Sequence, residues 1–167
     1  MDKFNHHKKE IERKDIELLF NYLGHIVEPA SNNNFDNVDY ICRDLNWVIE
    51  LKSRNFNIKT LKEQYNGQLL IEVKKYEAMF KRAEELGLNP VYISKLNDGH
   101  YFIYNLKKVP IQDLNSQNVY APKVSLSNNK QYTNKESYLL KTEYPKEVLW
   151  IKKVTKEKLE EKLNAKK

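Results

Sequence analysis

One cysteine, four glycines and five prolines stand in a chain of 167 residues, and each scarcity removes a class of protein. A lone thiol, Cys42, can close no internal disulfide, which excludes the disulfide-stapled secreted scaffolds. Its place between Ile41 and Arg43 in an apolar stretch reads as a small core residue. The few glycines and prolines exclude collagenous and linker-dominated chains. No apolar run exceeds four residues, Val148-Leu149-Trp150-Ile151 among them, far short of the ~20 that a membrane-spanning helix needs. Met1 to Glu10 is polar, with no apolar segment of the kind a secretory signal carries, so a cytoplasmic location without membrane partners is expected. Also missing are a phosphate-cradling glycine loop, a paired-cysteine metal motif and a nucleophile elbow.

What is present is enough for one folded domain. Hydrophobic residues make up 40% and aromatics 11%, which supplies a core and argues against a disordered chain. Lys+Arg number 29 against 23 Asp+Glu, a net charge of +6 that makes polyanions the first partner class to consider. Only Arg13, Arg43, Arg54 and Arg82 are arginines. A surplus of lysine and asparagine is equally what an AT-rich genome produces.

Periodicity orders the elements. Apolar positions at Ile11, Ile16, Leu18, Leu19, Tyr22 and Leu23 predict a helix over 8–23, stopped by Gly24. His25-Ile26-Val27 reads as a short strand before Pro29. Val38 to Cys42 and Trp47 to Lys52 read as a β-hairpin. The polar stretch Ser53–Gly67 reads as a loop or a mobile segment. Val73, Tyr76, Met79, Phe80, Ala83 and Leu86 predict a second helix closed by Gly87. Pro90–Lys95 and Tyr101–Leu106 then form a hairpin around Asn97-Asp98-Gly99. Residues 1–110 make the core. Residues 111–167 are a C-terminal extension, polar, with strand-like fragments at Val119-Tyr120 and Tyr138-Leu139-Leu140, ending in a basic helix capped by Thr155. The clusters Lys152-Lys153 and Lys156 to Lys158 are solvated charge or phosphate contacts.

Any chemistry has to come from carboxylates. Glu-x-Lys occurs three times ahead of the C-terminal helix, at Glu12–Lys14, Glu50–Lys52 and Glu72–Lys74, and once in it, at Glu160–Lys162, a frequency that chance accounts for in so Glu- and Lys-rich a chain. Context separates the three. Glu12 lies within a helix, where residues two apart do not share a face. Glu72 follows Leu69-Leu70-Ile71, which looks like a strand, but the helical pattern begins at Val73 with no room for a loop, which places Glu72 in a first helical turn and leaves its carboxylate explained by the helix dipole. On a strand, Glu50 and Lys52 share one face while Ile49 and Leu51 point into the core. A hairpin closed symmetrically about Asp44-Leu45 sets Asp39 directly opposite Glu50, with Cβ atoms about 5 Å apart. Two carboxylates at that distance repel, and a divalent cation with a preference for oxygen, Mg2+ or Mn2+, neutralises both. The competing reading is a solvated hairpin with a Glu–Lys pair on its exposed face.

The order helix, acidic hairpin, helix, strand, with Asp39…Glu50-Leu51-Lys52-Ser53-Arg54 and the helix from Lys74-Lys75-Tyr76, resembles the PD-(D/E)XK nuclease superfamily. Its phage nucleases and Holliday-junction resolvases look most similar, over about residues 8–106. The resemblance implies an α/β (α+β) fold with a restriction-endonuclease-like core, a mixed central sheet flanked by helices. It implies that Asp39 and Glu50 hold Mg2+ (or Mn2+), with the Leu51 carbonyl as a further ligand. Lys52 would help activate the attacking water, and Glu12, or failing that Glu17, would position it or a second metal. Lys74, Lys75 and Arg54 would meet the DNA backbone. The expected activity is endonucleolytic hydrolysis of DNA leaving a 5′-phosphate, on branched or junction DNA in recombination or repair, by a homodimer if two strands are cut. Two alternatives stand beside it: a non-catalytic DNA-binding protein with a nuclease-like fold, and a protein-interaction module whose basic charge is compositional.

Overall fold

The stripe Ile16, Leu19 and Phe20, fully buried, draws helix α1 (Lys3–Leu23) onto one face of a β-sheet. The computed structural model describes residues 3–30, 38–110, 116–122 and 132–143, together with helical backbone at Glu157, Glu161, Asn164 and Ala165. The expected cap at Thr155 and the lysine clusters at 152–153 and 156–158 lie outside the described residues. After α1 come β1 (Glu28–Pro29), β2 (Tyr40–Cys42), β3 (Trp47–Ser53), α2 (Ile58–Gln64), β4 (Gln68–Glu72) and α3 (Val73–Leu86). They are followed by β5 (Asn89–Lys95), β6 (Tyr101–Asn105), a short 3-10 turn (Leu106–Lys108), β7 (Ser116–Pro122) and β8 (Tyr132–Lys141).

The main sheet runs β1-β2-β3-β5-β6, with β3 and β5 parallel and every other pair antiparallel. This is the mixed sheet flanked by helices that the sequence led us to expect. Strand alternation in β3 divides the core in two. Trp47, Ile49 and Leu51 face α1 together with Val91, Ile93, Tyr101 and Ile103. Val48 faces the other way, against Ile41, Tyr92, Phe102 and Tyr104 and the buried residues of α2, β4 and α3: Leu61, Leu69, Ile71, Met79 and Ala83. Phe20 meets Trp47 edge-on, ring centroids 6.2 Å apart. The Lys95 ammonium pairs with the Asp15 carboxylate at 2.8 Å and the Tyr101 hydroxyl donates to the Asp15 carbonyl at 3.1 Å, which pins α1 along the sheet.

A second, three-stranded antiparallel sheet, β4-β8-β7, covers the α3 side. Leu140 of β8 is buried in the α3-side core, and Tyr138 stacks edge-on against Tyr76 of α3 at 5.1 Å. The extension after residue 110 therefore shares the core of the domain it follows.

Four expectations change. The helix begins at Lys3, ahead of the apolar pattern. His25–Val27 has no strand; the pairing starts at Glu28, where the chain meets Ile41. Ser53–Gly67 contains helix α2, capped by Asn57 Oδ1 accepting from the Thr60 amide at 2.9 Å and anchored by a single buried side chain, Leu61. Leu61 and the half-buried Ile58, three residues apart in a seven-residue helix, make too short a period to read. Glu72 ends strand β4 and is the N-cap residue of α3, so strand passes into helix with no loop between them.

Candidate metal and nucleic-acid site

The β2–β3 hairpin closes in the symmetric register: Cys42 faces Trp47, Ile41 faces Val48 and Tyr40 faces Ile49. One step further out the regular ladder stops: the Asp39 amide donates to the Ile49 carbonyl at 2.8 Å, so Asp39 sets its backbone against Ile49 rather than directly opposite Glu50 as expected, and its own carbonyl accepts from the Ala30 amide at 3.0 Å. Held on both sides, Asp39 turns its carboxylate across the strand, where Oδ2 accepts the Leu51 amide at 3.1 Å. Leu51 thus contributes to the site an amide that orients Asp39. The Glu50 carboxyl comes within hydrogen-bonding reach of the Asp39 carboxyl.

Glu50 is the most constrained acid of the pair. Its side chain keeps 13% of its exposure, Oε1 lies 3.2 Å from the Lys75 ammonium, and Oε2 is buried with no donor facing it. Burial, then the neighbouring Asp39 charge, pushes its carboxyl well above the usual range, and Lys75 offsets part of that rise. Lys75, expected to touch DNA, is therefore the built-in counterion of Glu50. It gets there because β4 runs directly into α3, which sets the first helical turn beside β3.

Lys52 shares the Glu50 face of β3 and lines the same hollow, about 290 Å3 in volume. Arg54, one further alternate position along, is folded into the hollow's floor: its guanidinium donates to the Leu70 carbonyl and to the Tyr92 hydroxyl, the latter at 2.8 Å, and Tyr92 donates in turn to the Leu70 carbonyl at 3.1 Å. Arg54 is thus a brace tying β3 and β5 to β4. Lys74 is exposed and lines a neighbouring hollow at the start of α3.

The helix acids Glu12 and Glu17 stand on α1. α1 packs on the face of the sheet opposite Glu50 and Lys52. The Tyr40 phenol is pushed up to about 12 by burial and then by the nearby charges of Asp39, Glu17 and Glu12. Glu17 accepts from Arg13 at 2.8 Å on the exposed face. Among the described residues no third acid, histidine or cysteine joins the Asp39–Glu50 pair.

Sequence reasoning missed Tyr92, Ser137 and Lys135, which line the hollow, the last two from β8. Position gave no signal, since β8 reaches the site only through its pairing with β4.

No family model matches this chain, and no curated protein does. Among solved structures it is similar to Hjc, a Holliday junction resolvase of the archaeal hyperthermophile Archaeoglobus fulgidus. The identity is 14% and the TM-score 0.45, over 77% of this chain and 86% of that one.

Proposed function

We propose that this protein is a divalent-metal-dependent endodeoxyribonuclease with Asp39, Glu50 and Lys52 at its centre. The observation that carries the reading is the Asp39 carboxylate, held by the Leu51 amide beside the buried Glu50 carboxyl, with Lys52 one alternate position from Glu50 in the same hollow. The buried, donorless Glu50 Oε2 fits a hard cation, because a carboxylate oxygen shut away from water without a partner is costly unless something positive meets it. Asp39 and Glu50 would hold Mg2+ or Mn2+, with water and phosphate oxygens completing the shell, as suits an ion that keeps several waters. The ion supplies Lewis-acid stabilisation of charge on the phosphate and a more acidic water.

The chain's own residues do the rest. Asp39, fixed by the Leu51 amide and by backbone pairing on both sides, presents its carboxylate in one orientation. Lys52 orients the attacking water and meets charge building on the non-bridging phosphate oxygens. Water oxygen bonds to phosphorus, the P–O3′ bond breaks, and the products are a 5′-phosphate and a 3′-hydroxyl. Lys75 keeps Glu50 ionisable while no cation is there. The Lys52→Ala variant, assayed on plasmid and four-way-junction DNA with Mg2+ or Mn2+ at saturating protein, should lose about 10²- to 10⁴-fold in cleavage rate. Binding without any metal-dependent cutting by the wild type would instead establish the non-catalytic DNA-binding reading.

A further inference from the structure

Two hollows meet at one ion pair. The first holds Glu50, Lys52, Arg54 and Lys75; the second, of about 610 Å3, runs past Val73, Lys74, Thr133 and Asn134. Glu72 and Lys135 line both, so the Lys135–Glu72 pair, 3.0 Å between Nζ and Oε1, is a partition in what is otherwise one trough. The two members are unequally placed: Lys135 keeps 17% of its side-chain exposure and Glu72 keeps 45%. The cation is recessed in the trough and its counterion is open to water, and a carboxylate that open holds a lysine weakly.

Two other cations of the first hollow are committed. Lys75 is bonded to Glu50, and Arg54 to Leu70 and Tyr92. Lys135 sits between the acids and Lys74, on a strand whose alternate residues Thr133 and Ser137 also line the trough. We infer that Lys135 grips a DNA backbone phosphate adjacent to the one at Asp39 and Glu50, and that Glu72 holds Lys135 in place until that phosphate displaces it. The inference rests on the nuclease reading and adds a residue from the C-terminal extension to its DNA-binding surface.

The test is a salt titration of binding to labelled duplex and four-way-junction DNA in EDTA, which needs no cleavage. Lys135→Met keeps the aliphatic stem. It should bind several-fold more weakly, with the slope of log affinity against log salt reduced by about 0.9, the loss of one phosphate contact. Glu72→Gln should bind more tightly than wild type. A folded Lys135→Met with wild-type affinity and slope overturns the inference, and so does a Glu72→Gln variant that binds no better. A lysine that merely ties β8 to β4 would move the melting temperature and leave the slope alone. If Lys135→Met fails to fold, the double variant Glu72→Gln, Lys135→Gln replaces the ion pair with an amide pair and must show the same slope loss; a wild-type slope there also overturns it. Wild-type protein that binds no DNA sinks the nuclease reading and this inference together. Wild-type protein that binds DNA, with Lys135 variants that bind equally, sinks the inference alone.

Discussion

Glu50 is where the charge balance of the protein is decided. Its carboxyl is held well above the usual range by burial and by Asp39. Between the ordinary carboxylate value and that raised one, the folded chain keeps a proton that the unfolded chain has already lost. Stability from this group is therefore complete at low pH and declines as pH rises through the window. Glu50→Gln should melt higher than wild type in EDTA at neutral to alkaline pH, with the gap closing below pH ~4.5, the ordinary glutamate range. Mg2+ or Mn2+ should raise the wild-type melting temperature, more so as pH increases, and leave Glu50→Gln unmoved; differential scanning fluorimetry across pH reads both. That Asp39 and Glu50 come near one another was legible from the hairpin's symmetric register, but the shift of Asp39 onto the Ile49 carbonyl was not. Lys75 was visible as a residue and hidden as a partner, since nothing local says that α3 starts beside β3.

At the scale of elements, endings were easier to read than partners. Gly87 closes α3 in the left-handed conformation, φ 67°, with its amide bonded back to the last turn, as glycine after an apolar helical period suggests. A Cβ there meets nothing within 4 Å, so Gly87→Ala isolates the backbone penalty. It should cost about 1 kcal/mol and lower the melting temperature by about 2–4 °C in a domain of this size. Helix α2 escaped notice because its capping asparagine and one buried leucine are short-range signals with no period behind them. Strand β4 was legible as Leu69-Leu70-Ile71. Its sheet was not, because the partner strand begins some sixty residues later, at Tyr132.

For the whole molecule, the boundary drawn at residue 110 separates stretches of different composition that the fold joins. Leu140 and Tyr138 complete the α3-side core, and β8 is the only partner of β4 among the described residues. A chain of residues 1–110 leaves β4 with an unpaired edge and Leu69, Leu70 and Ile71 short of contacts. Such a fragment should melt less cooperatively than the full chain and self-associate, as circular dichroism and size-exclusion chromatography would show. The net charge of +6 gains a location at this scale: Lys52, Lys75 and Lys135 converge around acids that would otherwise repel a polyanion.

The pairing of Leu69 with Leu140 also sets an order of events in time. Hairpins β2–β3 and β5–β6 close over short loops, whereas the β4–β8 ladder waits for a contact across nearly half the chain, the kind of closure that comes late. During synthesis, the acids of the β2–β3 hairpin are made before the strand that carries Lys135. A nascent chain therefore makes Glu50, Lys52 and Lys75 first, and the β8 side of the hollow, with Lys135 and Ser137, closes over them later.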